Sequence, residues 1–274
     1  LRRTTPHLFC FFLPQGQGQT NCKQIYQSLL LLFFTDDQLG RDDLLSVHEL
    51  VAALLDIGLT PQEYTDVIDQ ITCILLDKAN APQYLDWALD MLDLLVAYPA
   101  QVVALREKFL FHLYELFKRW WQRTTSAQVR LFQLLAEELG QAHLASQLPQ
   151  ESRKEERQED TQAANNSSAL AKDKRIAIYT LTESAARRAK MILEERYPET
   201  HFILRHDKVG GDSLLCLVKD ADVIVIATRS ATHAATEFIN DNRPQEMPTI
   251  YPAGKGCTSI INIIEEHLTG RSSR

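Results

Sequence analysis

The sequence predicts two unlike halves: an all-α helical bundle over residues 42–148, then an α/β domain over 174–270 read as a small doubly wound, Rossmann-like parallel sheet. Three observations carry this. Apolar residues recur at three- and four-residue spacing through the first half; a charged, polar stretch over 149–173 separates the halves; and beyond Lys174 short, continuously apolar runs alternate with amphipathic ones.

Residues 1–41 read as an irregular N-terminal segment. Leu1 to Asn21 mixes aromatics, prolines and Gln-Gly, and the first residue is not methionine, so the chain is expected to be a fragment or a processed product. Arg2 and Arg3 ahead of Leu8–Leu13 imitate a signal peptide, but no small-residue cleavage site follows. The apolar run Leu29–Phe34 falls far short of the roughly 20 residues that cross a bilayer, so no membrane is expected as a partner.

From residue 42 onward Leu44, Val47, Leu50, Val51 and Leu54 share one helix face, as do Val67, Ile68, Ile71, Ile74 and Leu75. Thr60-Pro61-Gln62-Glu63 reads as an N-cap, a first-turn proline and a capping-box glutamate, while Gly58 and Gly140 mark helix ends. Helices are expected near 42–57, 61–77, 82–97, 101–121 and 126–139, joined by links short enough to favour antiparallel neighbours. Trp120-Trp121 among Lys118, Arg119 and Arg123 has the composition of a partner surface, yet basic residues closing a helix complement its dipole, and one of two adjacent tryptophans must face the core. His112 and His143 have no spaced partners. The stretch 149–173, with Glu151–Asp160 at its heart, buries too little apolar surface to offset chain entropy and reads as a flexible linker.

In the second half the expected order is strand 175–181, helix 184–197, strand 202–204, helix 212–218, strand 223–228, helix 233–240, strand 249–251 and helix 258–267. Uniformly apolar strands separated by amphipathic helices imply a parallel sheet covered on both faces. Composition is that of an ordinary globular chain, 45% hydrophobic and 24% charged. A net charge of −7 argues against a protein that coats nucleic acid electrostatically. Five cysteines without a CxxC pair fit reduced thiols and a cytoplasmic setting, and exclude a disulfide framework or zinc ribbon.

Ligands of parallel sheets bind beyond the carboxyl ends of the strands. Those ends carry Thr182 and Ser184 after the first strand, His206 and Lys208 after the second, Arg229, Ser230 and His233 after the third, and Gly254, Lys255, Gly256, Thr258 and Ser259 after the fourth. Hydroxyls, cations, glycines and helix starts favour an anion, so a nucleotide or other phosphate-bearing ligand is the expected occupant; no cofactor is assigned. Each residue also has a plain role. Ser184, Asp212, Thr232 and Thr258 serve as N-caps, the glycines turn the chain, and the Lys255 loop lacks P-loop spacing. His206-Asp207 lacks a second ligand pair for a metal. Ser230, His233 and Asp207 lack the glycine-flanked elbow of a hydrolase. Cys257 at a helix start is a candidate for a lowered thiol pKa. No catalytic residue is assigned.

The strings Arg-His-Asp-Lys-Val-Gly-Gly-Asp at 205–212, Ala-Asp-Val-Ile-Val-Ile-Ala-Thr-Arg-Ser-Ala-Thr-His-Ala-Ala at 221–235 and Tyr-Pro-Ala-Gly-Lys-Gly-Cys-Thr-Ser-Ile from 251 resemble the C-terminal Rossmann-like module of bacterial DpdD-like proteins associated with phage defence and DNA modification. That resemblance, placed on about the last hundred residues, implies one pocket shared by His206, Lys208, Ser230, His233 and Lys255 and a place in a multi-subunit system, but no reaction. The leading expectation is an accessory or sensor subunit that binds a nucleotide or nucleic-acid phosphate and docks a protein partner through its helical half. An enzyme using His206 or His233 on a nucleotide or phosphorylated substrate, and a ligand-free interaction module that forms a homo-oligomer through its α/β domain, are the alternatives.

Overall fold

Helix formation in the first half follows the apolar spacing. The computed structural model describes residues 19–36, 39–148, 171–180, 182–207, 210–227 and 233–270. The chain divides into two compact units, Leu1–Thr124 with Phe132–Leu148, and Thr125–Leu131 with Pro149–Arg274. Helices α1 (Gln19–Thr35), α2 (Arg41–Ile57), α3 (Pro61–Cys73), α4 (Gln83–Ala97), α5 (Val103–Arg119), α6 (Ser126–Glu138) and α7 (Ala142–Ser146) come first. Helix α1 packs on α2 and α3, α2 on α4, α3 on α5, and α4 on α5. Leu50, Leu54, Ile68, Ile71, Leu92, Phe109 and Phe117 are fully buried between them.

Helix α1 corrects the expectation of an irregular segment through residue 41. Tyr26, Leu30 and Phe33 are buried, while Ile25, Leu31 and Leu32 are 45–51% exposed. Being apolar on both sides, the helix lacks the polar contrast by which periodicity reveals an amphipathic helix. Its last carbonyls are held from outside. Lys78, which ends a π-helical turn over Ile74–Lys78, donates its Nζ to Phe34 O at 2.6 Å and also to Asp36 O.

Helix α3 begins with the expected capping box: Glu63 N donates to Thr60 Oγ1 at 3.3 Å, and Thr60 N donates to Glu63 Oε2 at 2.8 Å. Gly58 (φ 91°) and Gly140 (φ 71°) stop α2 and α6 in backbone conformations that favour glycine. The helix expected over 101–121 ends at Arg119, and a 3₁₀ turn over Trp121–Arg123 buries Trp121 while Arg123 lies over the Trp120 ring at 5.5 Å. The residues 1–18 and most of the linker, 149–170, lie outside the described residues. Among the described residues no helix is long and apolar enough to cross a membrane.

The α/β unit alternates β1 (Arg175–Tyr179), α8 (Glu183–Arg196), β2 (His201–Arg205), α9 (Asp212–Asp220), β3 (Val223–Ile226), α10 (His233–Asn242), β4 (Thr249–Ile250) and α11 (Cys257–Thr269). All strands are parallel in the order β2-β1-β3-β4, with Ile178 level with Leu204 on one side and Val225 on the other. The sheet is therefore doubly wound, as the sequence predicts. Ala177, Tyr179, Ile224 and Ile226 share a buried cluster with Leu214, Leu217 and Val218 of α9 and Ala235 and Ile239 of α10. Strand alternation sends Ile176, Ile178 and Val225 to the other face, where α8 and α11 pack together.

Arg243 fastens the amino end of this sheet. It is buried, and its guanidinium donates Nη1 to Val218 O (2.6 Å) and Ala221 O (2.7 Å), and Nη2 to Asp222 O and Pro248 O (3.2 Å each). The acceptors close α9 and precede β3 and β4, so one cation satisfies carbonyls at a helix C-terminus and at two strand starts. Burial pulls its pKa down, opposed by the charge of Asp222; a guanidinium keeps its proton throughout the physiological range.

Arg243→Ala leaves those carbonyls without their donor and is expected to lower stability by about 3 kcal/mol or more in urea unfolding, with Arg243→Lys recovering only part because an ammonium cannot span four acceptors. In the helical unit, hydrogen bonds from Lys23 and the Thr60 amide hold the Glu63 carboxyl down from 4.5 to about 2. A depressed folded-state pKa gives stability that is present above the unfolded value and lost as pH falls toward the folded one. Acid titration between about pH 4.5 and pH 2 should therefore cost the wild type more stability than Glu63→Gln, measured as midpoint against pH.

Candidate functional site

Because the strands are all parallel, their carboxyl ends lie along one edge, and because the order reverses beside β1, the loops after β1 and β3 leave in opposite directions. Such a switch point opens a crevice at that edge. Main-chain and side-chain bonds set its floor. Ala227 N donates to Tyr179 O at 3.1 Å and Thr180 N to Arg205 O at 3.1 Å, extending the ladders one step past the strands. Thr180 is buried, and its Oγ1 accepts from Thr182 N at 3.1 Å, which turns the chain into α8. That local bond ends β1 at Tyr179, where the sequence pattern ran on to 181. Tyr179 reaches sideways and donates its hydroxyl to Asp207 O, tying the segment after β2 to the top of β1.

Of the residues named from sequence, Thr182 is the N-cap of α8, though its side chain makes no capping bond to the helix. Ser184 is half-buried in the first turn. His206 is exposed beyond β2. Lys208, Arg229 and Ser230 lie outside the described residues, and His233 is described only as the first residue of α10. The set after β4 is brought together: Gly254 and Gly256 are buried, Lys255 is half-buried, Thr258 is buried and Ser259 half-buried in the first turn of α11.

The capping roles expected of Ser184, Asp212 and Thr258 fall instead on Thr182, Gly211 and Gly256, each just ahead of its helix; Thr232 lies outside the described residues. A glycine N-cap has no side-chain oxygen to offer the first turn. Gly256 has φ −77° and ψ 168°, and the described glycines with positive φ are Gly58, Gly140 and Gly270. Gly254 and Gly256 are both buried, and neither has a left-handed backbone. Cys257 is buried, which removes the solvent access a reactive thiol needs.

Charge divides the edge. Helices α8 and α9 carry Glu183 and Asp212 in their first turns, and Glu183 pairs with Arg187. Helices α10 and α11 carry no acidic residue there. The positive ends of α8 and α9 are thus already met by carboxylates, and the half of the edge at β3 and β4 is the half suited to an anion.

Two features went unseen in the sequence. Asp207, weighed beside His206 as a metal dyad and with Ser230 and His233 as a triad, is half-buried with its Oδ2 enclosed and without a hydrogen-bond partner among the described residues. Gly210 is pressed so closely on α10 that an added Cβ would lie 2.4 Å from the Phe238 ring. An aspartate at a strand end followed by Gly-Gly was the available signal. Among the described residues no group of three or more His, Cys, Asp or Glu is placed to hold a metal ion. An open groove of about 720 Å³ lies elsewhere, lined by Arg175, Glu194, Pro198, Thr200, His201 and Phe202 among others, beside the amino ends of β1 and β2. It is at the wrong end of a parallel sheet for the ligands such sheets bind.

A family model described as DpdD-like matches residues 1–263. The resemblance carried by the C-terminal strings therefore extends through the helical half, well beyond the last hundred residues. No curated protein and no solved structure matches the chain.

Proposed function

The chain belongs to the DpdD-like family, which is associated with phage defence and DNA modification, and on that premise we propose that it is an accessory or sensor subunit of such a system. In this reading a nucleotide or nucleic-acid phosphate binds at the carboxyl edge of the α/β sheet, and a protein partner docks on the helical unit. The observation that carries it is the start of α11. There Lys255 stands between two buried glycines, ahead of a first turn with Thr258, Ser259 and no carboxylate. Main-chain donors, the positive helix end and an ammonium act in one direction on an anion, which a first-turn acid would oppose.

Partner docking is supported by α1. Ile25, Leu31 and Leu32 are exposed on the helix whose other side fills the core, and Gln24, Ile25, Ser28, Leu29 and Leu32 line a shallow groove of about 440 Å³. A surface helix with apolar residues on its outer side as well marks an interaction surface.

The test is the melting temperature of the full chain against mono-, di-, cyclic and oligonucleotides, since a ligand of the folded state raises it by mass action. Lys255→Ala is expected to weaken binding by roughly 1–3 kcal/mol, the worth of a charge-assisted contact, with each variant's shift read against its own ligand-free melting temperature. Unchanged affinity in the variant, or no shift with any nucleotide, would remove the site.

A further inference from the structure

The two outer strands of the sheet are unlike. Strand β4 has two residues, Thr249–Ile250, between Pro248 and Pro252, and a short strand bounded by prolines is poorly suited to further pairing. Strand β2 is the other outer strand. Its five residues pair with β1 in unbroken register, and His201-Phe202-Ile203-Leu204-Arg205 holds none of the prolines, lysines or bulges that keep edge strands from pairing. Main-chain direction alternates along it. His201 N donates to Lys174 O at 2.8 Å and Thr180 N to Arg205 O at 3.1 Å, so residues 201, 203 and 205 face β1. The N–H and C=O groups of Phe202 and Leu204 therefore point away from the sheet. The groove of about 720 Å³ lies beside them. Phe202 shares the face of Ile176 and Ile203 that of Ala177, yet both line the groove, which accordingly runs along the free edge of the strand.

Charge at the two ends of β2 adds an independent observation. Arg205 is half-buried, its Nε is enclosed without a hydrogen-bond partner, and it has no ion pair among the described residues. At the opposite end Glu199 is exposed and lies 3.5 Å from Lys172, itself exposed. Glu199 O accepts from Asp173 N at 2.8 Å, on the β1 side, in line with residues 201, 203 and 205. The strand thus follows an acid, is apolar through Phe202, Ile203 and Leu204, and ends in a cation without an acid of its own.

We propose that β2 pairs antiparallel with β2 of a second copy of the chain about a twofold axis at Ile203, joining two four-stranded sheets into one. In that register Phe202 exchanges both main-chain bonds with the partner's Leu204, and Leu204 does so with the partner's Phe202. Ile203 meets the partner's Ile203, so the middle of the contact is apolar on both faces. The partner's Arg205 stands opposite His201 and diagonal to Glu199, within reach of a long side chain, and symmetry forms that pair twice. An unrelated strand would satisfy the main chain alone, whereas a second copy also supplies the missing acid, the self-complementarity that an isologous contact requires. The contact is independent of the nucleotide reading.

The test is the mass of the full chain by sedimentation over a concentration series, with the wild type expected at twice the chain mass of 31.2 kDa. Leu204→Pro removes an outward N–H and no bond to β1, a change that edge strands tolerate, and is expected to be monomeric. Glu199→Arg and Arg205→Glu are each expected to weaken the dimer roughly tenfold, and an equimolar mixture of the two to recover it, because every contact between positions 199 and 205 is then again of opposite sign. A wild type that stays monomeric overturns the proposal. So does a dimer that survives Leu204→Pro, or one that the mixture fails to recover. Should Leu204→Pro fail to fold, the mixture decides; should Arg205→Glu fail to fold, Leu204→Pro and Glu199→Arg decide.

Discussion

The pairing of β1 with β2 on one side and β3 on the other is the constraint from which the rest of the α/β unit follows. Once three strands run parallel, each connection must return across a face, and right-handed crossovers in opposite directions put α8 on one face and α9 and α10 on the other. The same reversal parts the loops above β1 and β3. The parting of loops at that edge is thus a consequence of strand order, and in sheets of this kind what such an edge binds is decided by the side chains that the loops bring to it.

The two edges of the sheet solve different problems. At the amino end Arg243 gathers four carbonyls through its two Nη groups and makes that edge a fastening. At the carboxyl end the bonds are fewer and more local: Thr180 to Thr182, Tyr179 to Asp207. They shape the segments while leaving a carboxylate oxygen without a partner among the described residues and two helix starts without acidic residues.

Legibility in the sequence tracked the range of the interaction. The Thr60-Pro61-Gln62-Glu63 capping box was plain because its partners are three residues apart, and it is formed as read. The βα alternation was plain because β3 is apolar from end to end and β1 is apolar after Arg175. Helix α1 was hidden by apolar residues on both of its sides. Arg243 gave no sign of its role because its acceptors at 218, 221, 222 and 248 come together only in the folded sheet. Asp207 was read as half of a His-Asp pair, since neither its burial nor its tie to Tyr179, 28 positions back, is visible in local sequence. Glycines flanking Lys255 suggested a turn; both are buried, and neither has a positive φ.

The carboxyl edge as the ligand site is the central claim, and backbone amide chemical shifts of the full chain, recorded while a nucleotide is titrated in, test it most directly. The account predicts that the perturbed amides fall in Thr180–Ser184, His206–Asp207 and Gly254–Ser259, with Arg175 and Thr200–Ile203 at the groove near the amino end unmoved. Perturbation centred on that groove, with the α11 start silent, would contradict it.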